Sequence, residues 1–192
     1  MPAPNSNFLD EARAAARGVF ALVMGDRGAS RHFLFTETGL VSSFIAVLIV
    51  TGIQLVLTAA VGSGSMLASL VQSVIIYGAT LGASALYLRQ IGRWDALVPF
   101  VVTVNWSNAI LSMIMLVTLM LGLGFLVLVF LIVGIVLSIN IARLVMTLKP
   151  VQIVLLILAQ AVGLILALIL IVLLFPPTPE QLAEIAAASS AR

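Results

Sequence analysis

Cysteine is absent from this 192-residue chain and histidine occurs once, as His32. Thiol catalysis, disulfide frameworks and Cys-rich zinc or iron–sulfur sites are therefore excluded, and a His-ligated metal or haem would have to rest on His32 alone. No cofactor is expected. Charge is nearly as scarce: 8% of residues are Asp, Glu, Lys or Arg, against about 25% in ordinary soluble domains. So little charge cannot cover a water-facing surface, which excludes a soluble enzyme, a nucleic-acid module and a disordered regulator. No G-x-S-x-G, H-E-x-x-H, P-loop or C-a-a-X pattern occurs, so there is no catalytic constellation to assign and no enzyme is expected. The pI near 9.7 reflects a net charge of only +2 and does not imply nucleic acid. What the chain has in abundance is apolar surface, at 62% hydrophobic residues and a mean hydropathy of +1.28. That composition belongs to an all-α, polytopic membrane protein.

Five apolar stretches are long enough to span a bilayer, at about Leu40–Val61, Met66–Leu88, Leu97–Met120, Gly124–Val145 and Val151–Phe175. A 22-residue helix is about 33 Å long, enough for a hydrocarbon core of about 30 Å with modest tilt. Leu97 to Ile141 runs almost without charge, and Gly122-Leu123-Gly124 near its middle supplies the backbone reversal that divides it into a hairpin. Residues 39–175 thus form a five-helix bundle.

The flanks have their own patterns. Residues 1–7 are short and polar, a mobile end. Phe8 to about Met24 reads as a helix capped by Asn7, with Asp10 and Glu11 in its first turn. Phe8, Ala12, Ala15, Val19, Leu22 and Val23 recur at helical spacing with the charges on the other side, as in an amphipathic helix lying along the membrane surface. No cleaved signal peptide is evident, so the first span is expected to stay as an anchor. After the last span, Pro176-Pro177 stops the helix and Thr178-x-x-Gln181 forms a capping box for a short Ala-rich helix within residues 176–192.

Charge placement tests the span count. Arg13, Arg17, Arg27 and Arg31 precede the first span, Arg89 and Arg93 separate the second and third, and Arg143 and Lys149 flank the turn between the fourth and fifth. With five spans, eight of the nine basic residues share one side. The positive-inside tendency then places residues 1–38 in the cytoplasm and the C-terminus on the opposite, periplasmic side.

No Asp, Glu, Lys or Arg lies deep in any span, which argues against a pump or proton-coupled carrier. The intramembrane polar residues are amides and hydroxyls. Gln54, Gln72, Asn105, Asn108, Asn140 and Gln160 either tie helices together or line a path for a neutral solute. Asn105-Trp106-Ser107-Asn108 is the densest cluster; Asn105 and Asn108 share a helix face, and Trp106 is deep enough to be a buried indole with its N–H satisfied. Small residues recur every fourth position at Ser69 and Ser73, at Gly78 and Gly82, and at Ala159, Gly163 and Ala167. Such strips let backbones approach, within the bundle or at an oligomer contact. Arg27, Arg31 and His32 at the cytoplasmic boundary are candidates for a lipid headgroup.

An amphipathic cytoplasmic N-terminal segment, five close-set spans and short loops resemble the Yip1-domain family, especially its bacterial members. The local features carrying that resemblance are Arg31-His32-Phe33, the Arg89-Gln90-Ile91-Gly92-Arg93 turn and Asn105-Trp106-Ser107-Asn108. The Asp-Leu-Tyr-Gly-Pro motif of the vesicle-trafficking members is absent, so the resemblance does not extend to their small-GTPase partnership. It implies a non-enzymatic scaffold or adaptor of the bacterial inner membrane, with lipids, other membrane proteins or further copies of itself as partners. Two alternatives stand beside it: a transporter or pore for a small neutral solute, and an accessory subunit of a larger membrane complex.

Overall fold

The computed structural model describes residues 7–60 and 65–176, and every regular element among them is helical. The expected tail helix with its Thr178 capping box, the N-terminal end before Asn7 and the turn after the first span lie outside the described residues. The described residues form six long helices: α1 (Phe8–Val23), α2 (Glu37–Ala60), α3 (Met66–Gln90), α4 (Leu97–Met120), α5 (Val127–Asn140) and α6 (Pro150–Leu174). One-turn 3-10 segments precede α4 and α5, and a π-helical turn, Ile141–Val145, prolongs α5. With these extensions, α2 to α6 are five helices long and apolar enough to cross a membrane. The protein is a multi-pass helical membrane protein.

The turns form where backbone chemistry allows them. Gly92 and Gly122 adopt φ of 70° and 74°, a left-handed conformation that costs a residue without a Cβ very little. In each case the chain re-enters a helix two residues later. Pro150 opens α6, where its missing N–H is no loss, and the Gln152 side chain accepts from the Lys149 backbone N–H at 2.9 Å.

Helices adjacent in sequence are not the ones that pack most closely. α3 lies along α6 and α2 along α4, while α3 touches α2 and α4 much less. α4 is the central element: Phe100 to Thr103, Asn105 to Ser107 and Ala109 are all buried. The bundle thus divides into an α3–α6 pair and a wall built from α1, α2, α4 and α5.

Helix α1 forms over the expected residues with the expected cap, the Asn7 side chain accepting from the Asp10 N–H at 3.1 Å. What its apolar face covers is protein: α1 is seated on α4 and α5. Ala15, Val19 and Leu22 are buried there, and Phe8 meets Trp106 with ring centroids 5.7 Å apart. Two further expectations need correction. Glu11 does not join the exposed charges but is 5% exposed on the seated face. Trp106 is buried as expected, yet its indole N–H makes no hydrogen bond among the described residues. Its aromatic body, packed on Phe8, accounts for its position.

Candidate functional site

Five of the six intramembrane amides serve as ties or cavity walls. Asn105 on α4 is wholly buried: its Oδ1 accepts from Tyr77 Oη of α3 at 2.7 Å and its Nδ2 donates to Ser43 Oγ of α2 at 3.1 Å. One amide thereby joins three helices. Gln160 Nε2 of α6 donates to Ser84 Oγ of α3 at 3.1 Å. Asn140 Nδ2, at the end of α5, donates to the Leu22 carbonyl of α1 at 2.7 Å, which fastens α1 to the wall. Buried polar groups in an apolar medium gain most when both partners are satisfied, and these three are helix-to-helix ties.

Asn108 and Gln54 do something else. Asn108 is one turn from Asn105 but faces outward, and its side chain hydrogen-bonds to nothing among the described residues. It lines three adjoining cavities. The first, about 390 Å³, lies between α2, α3 and α4 and is walled by Thr51, Gln54, Ser73, Tyr77, Thr80 and Ser112 together with valine and isoleucine. The second, about 70 Å³, is a neck bounded by Tyr77, Thr80, Ser84, Asn105, Asn108 and Gln160. The third, also about 390 Å³, lies between α3, α4, α5 and α6 and is walled by Thr80, Asn108, Ser138 and Gln160 among aliphatic side chains. Thr80 and Asn108 belong to all three, so the cavities form one crevice where the α3–α6 pair stands off from the wall.

No Asp, Glu, Lys, Arg or His lines this crevice. Its hydroxyls are mostly turned back on their own helices: Ser73 donates to Ser69 O at 2.9 Å, Thr80 to Ile76 O at 2.8 Å and Ser138 to Gly134 O at 2.9 Å. A hydroxyl whose proton is engaged in this way keeps its lone pairs, so toward a ligand it can act only as an acceptor. Asn108 supplies both a donor and an acceptor. The site can hold an uncharged hydrogen-bonding group, and Tyr77 is the one titratable side chain among its described lining residues; among the described residues no cluster of His, Asp and Glu could hold a metal ion.

The remaining candidates are distributed elsewhere. Gln72 joins neither a tie nor the crevice. In the α6 strip, Gly163 and Ala167 are buried and Ala159 is partly buried. Its partner on α3, however, is Ala79 and Ala83, whose backbone and Cβ lie where a Gly163 side chain would go. Gly78 and Gly82 are each beside open space, so that glycine strip packs on no neighbour among the described residues. Ser69 donates to Ser65 O of its own helix. Ala79-x-x-x-Ala83 was the overlooked signal, at the same spacing one residue further on. Arg27, Arg31 and His32 gather in and before the turn Ala29–His32; both arginines are exposed, and His32 is half-buried with its Cβ close against Gly18.

Sequence reasoning also missed Arg93. It was read as a topology charge, yet its Nη2 donates to the Met146 carbonyl at 2.7 Å and to Thr147 Oγ1 at 3.2 Å. This clips the α3–α4 turn to the α5–α6 turn, where Thr147 has a left-handed φ of 53°. Compared with known proteins, the chain matches no family model, no curated protein and no solved structure.

Proposed function

We propose that this chain is a non-enzymatic membrane protein that binds an uncharged polar ligand in the crevice around Asn108. The observation that carries this is an amide with no hydrogen-bond partner among the described residues, at the centre of a polar-walled cavity within the spans. An amide left against hydrocarbon is costly, and a ligand or water in the crevice removes that cost. The absence of charge along the walls fits a neutral ligand, as expected for a carrier or pore that handles one. In this reading the membrane is a bacterial inner membrane, with residues 1–38 cytoplasmic and the C-terminus periplasmic; the eight basic residues on one side support that orientation.

The test is thermal unfolding in lipid nanodiscs with a panel of uncharged ligands, from small polyols and amides to acylglycerols and quinones. A ligand at a hundredfold excess over its Kd stabilises the native state by about 2.7 kcal/mol. At least one class is expected to raise the midpoint by several degrees in the native protein and not in Asn108→Leu. If no class does so, the ligand reading is wrong.

A second reading, the scaffold or adaptor that the Yip1-domain resemblance implies, is supported by the open strip at Gly78 and Gly82. Small residues facing lipid offer close approach to a helix of another protein or another copy, as an accessory subunit would need. Crosslinking in native membranes tests it: Gly82→Ile is expected to abolish any adduct through α3, and an unchanged adduct pattern removes this role.

A further inference from the structure

Resting on the ligand reading above, we infer that the crevice takes its ligand sideways from the bilayer, and that the ligand is a neutral, lipid-dissolved amphiphile: a small head bearing hydroxyl or carbonyl oxygens on an apolar body. Depth is the first support. Asn108 has eleven residues of α4 on one side and twelve on the other, which places it about 17 Å from either end of the helix at about 1.5 Å per residue. The crevice therefore crosses the bundle near the bilayer mid-plane.

Its mouths are the second support. One lobe lies between α2 and α3, the other between α5 and α6, and outward-facing residues such as Ser138, Ile157, Ala161 and Leu164 border the latter. Ser73 on α3 is outward-facing beside the first, so both flanks open to the outer surface of the bundle. Wall chemistry is the third. A few oxygens and amides are set among Val47, Val50, Ile76, Phe100 and Leu156, which suits a molecule with one or two polar atoms and an aliphatic remainder. A charged phospholipid headgroup finds no counter-ion here and is expensive at this depth. Each lobe of about 390 Å³ is in the size range of small-molecule sites.

The protein has no cysteine, so single-cysteine labels report cleanly. Ser112→Cys and Ser138→Cys, each carrying a bimane fluorophore, place one probe in each lobe, and Leu158→Cys on an outward face of α6 serves as the lipid-facing control. The variants are reconstituted in phosphatidylcholine vesicles and titrated with brominated diacylglycerol, with a long-chain quinone, with brominated phosphatidylcholine and with aqueous acrylamide. The expected result is saturable quenching of both lobe probes by diacylglycerol or by quinone, whichever head fits. It should be about tenfold more effective per mole than brominated phosphatidylcholine, and lowered by about that factor in Asn108→Leu, the effect of one membrane hydrogen bond. The Leu158→Cys probe should not discriminate among the lipids. Equal quenching by the neutral amphiphiles and phosphatidylcholine overturns the inference, as does a lobe occupied by a second protein and closed to every quencher. Dominant quenching by acrylamide also overturns it, by showing a water-filled site, while leaving the ligand reading itself intact.

Discussion

Asn105 and Asn108 are the same residue type one helical turn apart, and their environments separate them completely. Asn105 has both halves of its amide engaged across three helices, whereas Asn108 looks into the crevice. Removing each should therefore have different consequences. Asn105→Ala is expected to lower unfolding stability by about 1–3 kcal/mol, since two intramembrane hydrogen bonds of roughly 0.6 to 2 kcal/mol are lost and the Tyr77 and Ser43 hydroxyls lose their partner. Tyr77→Phe removes only one of the two bonds and should cost about half as much. Unfolding in graded denaturant checks both, and an Asn105→Ala protein as stable as the native one would contradict the tie. Their spacing accounts for both bordering the neck between the lobes. Which of them is engaged was not legible from it, because it depends on where Tyr77 and Ser43, 28 and 62 positions away in the chain, come to rest.

The helices show the same division between what a sequence carries locally and what packing decides. Span boundaries agree with the hydropathy reading within about three residues, because any apolar run of that length must satisfy its backbone as a helix in lipid. Pairing was not legible. In water a helix declares its inner face by burying its apolar side, but in a bilayer both faces are apolar, so periodicity does not say that α3 lies on α6. Small residues are the remaining guide, and there the more conspicuous glycines of α3 misled while Ala79 and Ala83 did the packing. A Cβ on Gly163 would stand 2.8 Å from the Ala79 carbonyl oxygen and 2.9 Å from the Ala83 Cβ. Gly163→Leu should therefore force α3 and α6 apart, at a cost of about 1–3 kcal/mol. Gly82→Ala has open space and should stay within about 0.5 kcal/mol of the native protein. Comparable losses at both positions would refute the α3–α6 contact.

For the molecule as a whole, five helices among the described residues are long and apolar enough to span a membrane, and an odd count predicts ends on opposite sides. Reporter fusions placed after Arg31 and after Arg192 are expected to report opposite sides of the membrane, with the first cytoplasmic; the same side for both would break the five-span count. One more consequence concerns how the molecule is made. The seat of α1 is built from α4 and α5, and the Asn140 side chain that holds the Leu22 carbonyl comes 118 residues later in the chain. At a synthesis rate of about 5–20 residues per second, that interval lasts roughly 6 to 24 s. Until then the seat of the nascent α1 is incomplete. The apolar stripe that later docks onto the wall suits a wait at the bilayer surface in the meantime, which reconciles its amphipathic pattern with a seat inside the protein.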